Sequence, residues 1–98
     1  MIVRIFQVTT HPGKEAEFSR FFHETAIPLM RNTEGIVSVI PGAARAESPQ
    51  EFSFVMIWES LDHLKAFVGK DYDNPHVDPA EAELVASRTI RHYDLVEE

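Results

Sequence analysis

Apolar residues in the segment 52–67, FSFVMIWESLDHLKAF, follow first one period and then another. The first seven alternate as in a β-strand, and both faces of that strand are apolar. One face carries Phe52, Phe54, Met56 and Trp58, and the other carries Ser53, Val55 and Ile57. After Trp58 the spacing becomes helical. Ser60 is well placed to cap this helix, because its hydroxyl can accept an unpaired N–H of the first turn.

The N-terminal third of the chain has the pattern of a strand followed by a long helix. Residues 1–9, MIVRIFQVT, are rich in β-branched and aromatic residues, and the following Pro-Gly pair ends the strand. Apolar residues then repeat at i, i+3, i+4 and i+7, which predicts a helix from about residue 14 to residue 30. Pro28 lacks an N–H, so we expect a kink or an end of the helix near it.

Three further elements are predicted in the remaining chain. Residues 35–41, GIVSVIP, form a second strand, and residues 89–96, TIRHYDLV, form the last one. A helical piece is predicted over residues 79–87, because Pro79 suits a first helical turn. The order is β-α-β-β-α-β, which predicts an α+β, ferredoxin-like fold with a four-stranded antiparallel sheet and helices on one face. We expect a single domain over residues 1–98.

Two helices can cover only one face of the predicted sheet, although both faces are apolar. We expect the uncovered face to be the one that carries Phe52, Phe54, Met56 and Trp58, or its neighbour one residue over. A bare face of that size exceeds the few hundred Å² that monomers usually expose. The simplest way to bury it is a homodimer with sheet against sheet around a two-fold axis, which can close a barrel.

Composition narrows the classes of function. A net charge of −7 and a pI of about 5.1 argue against nucleic acid and anionic membrane surfaces as partners. The chain has no cysteine, and its five histidines lack metal-ligand spacing, so we expect no metal site. No apolar run approaches the roughly 20 residues of a membrane helix, and the N-terminus does not resemble a signal peptide. We therefore expect a cytoplasmic protein.

Several segments together resemble the antibiotic-biosynthesis-monooxygenase-like dimeric α/β barrel proteins. They are PGKEAEF, EGIVSV, WESLDHLKAF and NPH, and the resemblance covers roughly residues 2–96. Proteins of this kind include cofactor-free quinol and anthrone monooxygenases, haem-degrading monooxygenases and many small proteins without an assigned activity. The resemblance implies a homodimer.

The first functional hypothesis is a monooxygenase without cofactor that acts on a small planar quinol, phenol or anthrone. The substrate, once deprotonated, passes an electron to dioxygen by itself, so the protein supplies an apolar pocket, a proton acceptor and polar contacts to the oxyanion. The resemblance implies that Trp58 and Phe54 lie in the pocket wall and that His76 is the proton acceptor. Related enzymes have a polar amide at the position of Phe54.

The remaining candidate residues for substrate binding are Gln7, Tyr72 and His92. Gln7 is an amide that can replace the one missing at Phe54, Tyr72 can lie over the pocket mouth, and His92 can face the cavity. Each candidate also has a structural interpretation. Gln7 is then a tolerated polar residue, Tyr72 and His76 are exposed loop residues, and Trp58 and His92 serve packing alone.

Two alternatives remain at this stage. Haem binding requires an axial histidine, which His76 fits, but Phe67 and Gln7 stand where that subgroup has tryptophan and asparagine. The other alternative is a dimeric module that binds a metabolite or partner without catalysis. A cavity of about 300 Å³ or more with His76 or Gln7 at its wall favours a ligand, whereas a filled interior favours a module without a pocket.

Overall fold

The computed structural model describes residues 1–73 and 79–96 of the chain. Within these residues the chain forms four β-strands, four short α-helices and one π-helical turn. In chain order they are β1 (Ile2–Thr10), α1 (Glu15–Phe21), the π-helical turn (Phe22–Ala26), α2 (Ile27–Arg31), β2 (Ile36–Gly42), β3 (Glu51–Trp58), α3 (Leu61–Val68), α4 (Pro79–Ala82) and β4 (Val85–Asp94).

The strands form one antiparallel sheet in the order β2-β3-β1-β4. The inner strands β1 and β3 pair so that Ile2 faces Trp58 and Phe6 faces Phe54. Even-numbered residues of β1 and β3 therefore share one side of the sheet, and odd-numbered residues share the other. This arrangement confirms the predicted α+β, ferredoxin-like fold.

The helices cover the side of the sheet that carries Trp58, and we call this side the covered face. Its residues on the two inner strands are Ile2, Arg4, Phe6 and Val8 of β1 and Phe52, Phe54, Met56 and Trp58 of β3. Aromatic rings of the helices pack directly on it. The ring centroids of Phe18 and Phe52 are 4.8 Å apart, and those of Phe22 and Phe54 are 4.7 Å apart.

Of the two sides that the sequence left open, the Trp58 side is therefore the covered one, and the uncovered side is its neighbour one residue over. We call this side the open face; its residues include Val3, Ile5 and Gln7 of β1, Ile40 of β2, Val55 and Ile57 of β3 and Tyr93 of β4. Side-chain size explains the choice. Large rings are needed to fill the space between a sheet and helices, whereas small β-branched residues form a flat surface.

The long predicted helix is interrupted close to the expected position. The N–H of Ile27 bonds the carbonyl of Phe22, five residues earlier, which is the hydrogen bond of a π-helical turn. Pro28 follows immediately and has no N–H to donate to the preceding turn. The π-helical turn is wider than a regular turn, so the helix continues past Pro28 to Arg31. The side chains after the turn are rotated around the helix axis relative to those before it.

The last part of the chain differs from the prediction. The helical piece expected over 79–87 is limited to α4, and β4 begins at Val85 and ends at Asp94, earlier than the predicted strand over 89–96. The cause lies in β1, which extends to Thr10 and pairs there with Val85. The N–H of His11 also donates to the carbonyl of Leu84 at 2.9 Å, so this stretch is held in the sheet.

The ends of α3 are as the sequence predicts. The N–H of His63 donates to the hydroxyl oxygen of Ser60 at 3.2 Å, which confirms the cap. Gly69 follows the last helical residue with a φ of 92°. Among the described residues, none of the helices has both the length and the apolar composition needed to span a bilayer.

Gly35 joins the helical layer to β2 in a conformation that a larger residue cannot adopt easily. Its φ is +91°, and a Cβ at this position would lie 2.6 Å from the Cβ of His63. We expect Gly35→Ala to lower the free energy of unfolding by about 2–4 kcal/mol, because backbone strain and a steric clash add.

Gly13→Ala is the matched control for that measurement. Gly13 has a similar φ of +88°, but no atom lies within 4 Å of the added Cβ. Urea denaturation of both variants should show a loss of about 1 kcal/mol for Gly13→Ala from backbone strain alone. Equal losses in the two variants would show that His63 moves aside without cost.

Candidate functional site

A cavity of about 160 Å³, which we call the pocket, lies between the helices and the covered face of the sheet. Apolar side chains form most of its wall. They are Phe6, Phe54, Met56 and Trp58 from the sheet and Phe21, Ala26, Leu29, Met30, Phe67 and Val68 from the helices. The remaining lining residues are Arg4, Thr25 and Glu81. The pocket therefore offers an apolar environment with a small number of polar groups, as binding sites for small molecules do.

Trp58 and Phe54 both lie in the pocket wall. Trp58 is fully buried, and its ring is 5.5 Å from that of Phe67. Its indole nitrogen Nε1 is also buried and has no hydrogen-bond partner in the part of the chain that the structure describes. Buried indole N–H groups usually have an acceptor, so this one is an unused donor in the wall. A role of these two residues in substrate binding remains a prediction.

Arg4 is the residue of this site that the sequence analysis did not single out. It lies on β1 between Ile2 and Phe6 on the covered face, and only 6% of its surface is exposed. Nη1 donates to the backbone carbonyl of Tyr72 at 2.8 Å and contacts Nε2 of His92 at 2.9 Å. Burial lowers the pKa of Arg4, because the low-dielectric surroundings disfavour its charge. The sequence did contain a signal for this residue, because Arg4 is a charged residue in the middle of an otherwise apolar strand face.

His92 is neutral in this arrangement. A guanidinium has only donors, so Nε2 of His92 accepts from Arg4 and the ring proton lies on Nδ1. Burial lowers the pKa of His92, the positive charge of Arg4 lowers it further, and Asp73 opposes the shift. Because its Nε2 lone pair is occupied by Arg4, His92 is positioned as a support for Arg4 and not as a proton acceptor.

Tyr72 completes this cluster at the edge of the pocket. Its ring meets the His92 ring edge-on, with 5.0 Å between the centroids, and Nζ of Lys65 lies 5.6 Å from the Tyr72 centroid. Neither Tyr72 nor His92 is part of the cavity wall, and both connect to it through Arg4. The structure thus brings two predicted residues next to the pocket without placing them in it.

Gln7 and His76 are not brought to the pocket by the described structure. Gln7 is on the open face, where its Oε1 accepts a hydrogen bond from Oγ1 of Thr89 at 3.4 Å, and the sheet separates it from Trp58. Gln7 comes three positions after Arg4 on β1, and an odd offset along a strand places the two side chains on opposite sides of the sheet. His76 lies outside the described residues, and its role as proton acceptor remains a prediction.

Glu81 of α4 is a second charged residue in the pocket wall. It is buried, and its Oε1 is 3.3 Å from Nε of Arg88. Arg88 therefore balances the charge of this carboxylate. No cluster of three or more potential metal-ligating side chains occurs among residues 1–73 and 79–96.

Solved structures with this architecture come from several bacteria. A Deinococcus radiodurans protein named as a candidate antibiotic biosynthesis monooxygenase has a TM-score of 0.78 and 14% identity, over 100% of this chain and 95% of its own. The Bordetella bronchiseptica protein of the same designation has a TM-score of 0.68 and 22% identity, over 98% and 97%. Its Caulobacter crescentus counterpart has a TM-score of 0.70 and 24% identity, over 98% and 90%. At these identities the likeness shows a shared fold.

Sequence comparison identifies the family directly. A search of curated protein sequences found no match. The sequence profile of the family described as "Antibiotic biosynthesis monooxygenase" matches residues 1–73, which is more than half of the 98-residue chain. The chain therefore belongs to the antibiotic biosynthesis monooxygenase family.

Proposed function

We propose that this protein is a cofactor-independent monooxygenase that oxidises a small planar quinol, phenol or anthrone in the pocket. The observation that carries the proposal is an apolar pocket with a buried cation, Arg4, in its wall. Family membership supplies the class of reaction, and the pocket supplies the two conditions that this chemistry needs. These are exclusion of water and a group that stabilises negative charge on oxygen.

The reaction on an anthrone illustrates the roles of the residues. The substrate loses a proton, and the resulting carbanion gives electrons to dioxygen. The ring methylene loses both hydrogens, one oxygen atom becomes its carbonyl, and the other leaves as water, so the substrate supplies all the electrons. Trp58 and Phe54 form the wall against the rings, and His76 is the proposed proton acceptor.

The volume of the pocket is sufficient to enclose one or two rings of a substrate, so the third ring of an anthrone would lie outside the enclosed part. About 160 Å³ is below the range of most ligand pockets, and a cavity of about 150 Å³ in another protein holds benzene. Leu29 and Phe67 at the wall are partly exposed, so a longer molecule can extend past them towards solvent.

Oxygen consumption by the purified protein tests the proposal. A panel of quinols, naphthols and anthrones should include at least one compound that raises oxygen uptake above the uncatalysed rate. His76→Ala should reduce that rate by roughly 10²–10⁴-fold, because a positioned base contributes this much. His11→Ala is the control, since His11 is exposed in the turn after β1 and should leave the rate unchanged. No uptake above background across the panel would reject the enzymatic proposal.

One observation favours a second candidate function, a dimeric module without catalysis. The pocket is smaller than the 300 Å³ set as a threshold from the sequence, and Gln7 is not at its wall. Thermal-shift measurements against aromatic metabolites separate the two candidates. Binding without oxygen uptake supports the module. Haem is included in the same panel, because a haem-induced shift would favour the haem-degrading subgroup.

We also propose that the protein is a homodimer joined through the open face. Val3, Ile5, Val55 and Ile57 form the centre of this face, and Ile40 and Tyr93 on the outer strands are 56% and 53% exposed. A second copy is the partner most readily available to such a surface, because the same patch can pair with itself around a two-fold axis.

A further inference from the structure

Arg4 differs from every other group in the pocket wall because its charge has no counterion there. Its two hydrogen-bond partners, the carbonyl of Tyr72 and Nε2 of His92, are both neutral. Glu81 carries a negative charge at the same wall, but Arg88 lies 3.3 Å from it. Asp73 affects the pKa of His92 but forms no ion pair with Arg4, so Arg4 is the charged group of the pocket wall that lacks an ion-pair partner among the described residues.

The hydrogen bonds of Arg4 also leave part of its guanidinium unused. Both contacts are made by Nη1, and Nη2 and Nε make no hydrogen bond to the described part of the chain. A guanidinium presents its donors as a planar fork, and this fork matches oxyanions. Burying a cation without a counterion destabilises a folded protein, so the position is more suited to binding than to stability.

We infer that Arg4 is a ligand-binding residue that selects aromatic molecules with an ionised oxygen, and that it binds this oxygen in the pocket. The inference rests on the proposed function in one respect, namely that the pocket is the functional site. A phenolate and a carboxylate present the same charged oxygen, and the experiment below distinguishes them. Tyr72 and His92 act through Arg4, since their acceptor atoms fix the position of Nη1.

This assignment gives Arg4 the oxyanion contact for which the sequence analysis had offered Gln7. Phe54 has no polar group, and Gln7 is on the other side of the sheet. Arg4 does not remove the substrate proton, because a guanidinium is always protonated. Instead it stabilises the ionised form that remains after the proton leaves, and this form is the one that gives electrons to dioxygen.

Three small probes test the inference by direct binding. They are 4-nitrophenol at a pH above its own pKa, its methyl ether 4-nitroanisole, and 4-nitrobenzoate. Binding is followed by quenching of Trp58, the sole tryptophan, which lines the pocket. We expect wild type to bind at least one of the two anions about tenfold or more tightly than the ether, because a hydrogen bond to a charged group is stronger than a neutral contact.

The variants locate the effect at Arg4. Arg4→Met should bind the ether as wild type does and should lose the preference for the anion. Arg4→Gln is a second neutral variant that can still donate to the carbonyl of Tyr72, and it decides the result if Arg4→Met does not fold. Arg20→Met removes an equally charged side chain from the exposed surface of α1, and it should keep the preference.

The inference is overturned if wild type binds none of the probes, binds the ether as tightly as both anions, or keeps its preference in the neutral variants. Preference for nitrophenolate identifies a phenolate ligand, and preference for nitrobenzoate identifies a carboxylate; both support the inference. Loss of anion preference without oxygen uptake from any substrate would reject the monooxygenase and keep this role of Arg4. Oxygen uptake that is unchanged in Arg4→Met would reject this role of Arg4 and keep the monooxygenase.

Discussion

Trp58→Ala is expected to lower the free energy of unfolding by about 3–5 kcal/mol, the range for a fully buried large aromatic side chain. The ring is fully buried and lies at the wall of an existing cavity. Its removal therefore enlarges a space that the neighbouring side chains already leave unfilled. Because Trp58 is the sole tryptophan, the unfolding of both proteins should be followed by circular dichroism in urea.

Phe67→Ala is the matched control for Trp58→Ala. The two rings are neighbours, with centroids 5.5 Å apart, but Phe67 is 40% exposed. We expect Phe67→Ala to cost roughly 1–2 kcal/mol, since it removes less buried apolar surface. A loss for Trp58→Ala that does not exceed the control would contradict the central position of Trp58 in the core.

Val55→Lys is expected to convert the proposed dimer into a monomer. Val55 is on the inner strand β3, where it lies opposite Ile5 on one side and Ile40 on the other. In a two-fold dimer the substitution would place a charge on both copies at the centre of the apolar contact, and an unpaired buried charge costs several kcal/mol. Light scattering coupled to size exclusion should change from about twice 11.2 kDa to the mass of one chain.

Ala16→Lys provides the control for the change in oligomeric state. It adds the same charge to an exposed position on α1, on the other side of the molecule from the open face. This variant should remain a dimer. A wild-type protein that is already monomeric would remove the proposal of a shared barrel, while leaving the pocket of the single chain intact.

The sequence was sufficient to predict four strands, the order of elements along the chain and the class of fold, because changes of hydrophobic period mark them. It was not sufficient to say which side of β3 the helices cover. Both parities are apolar there, so periodicity alone leaves the choice open. Side-chain volume contained the answer, since the aromatic series ending in Trp58 is bulkier than Val55 and Ile57.

The start of β4 was missed for a different reason. The segment after Pro79 has good helix formers, and local preference predicts a helix there. Pairing of Val85 with Thr10, and burial of Leu84 and Val85, outweigh that preference. Contacts between residues this far apart in sequence cannot be inferred from a local pattern.

The candidate site residues differ in their position relative to the pocket, and side-chain parity explains part of the difference. Trp58 and Phe54 are at the pocket because they share a face with Phe6, and Gln7 is not because it has the other parity. Arg4 gains its place through partners 68 and 88 residues away in the chain. Only the folded arrangement brings those partners together.

Because of the π-helical turn, the number of residues in the helix determines which of its side chains face the pocket. Such a turn contains one residue more than a regular turn, so every position after it is rotated with respect to those before it. Deleting one residue between Phe22 and Ala26 would restore regular winding and rotate Leu29 and Met30 by about 100° around the helix axis. A different set of side chains would then face the pocket, without a single substitution on the sheet.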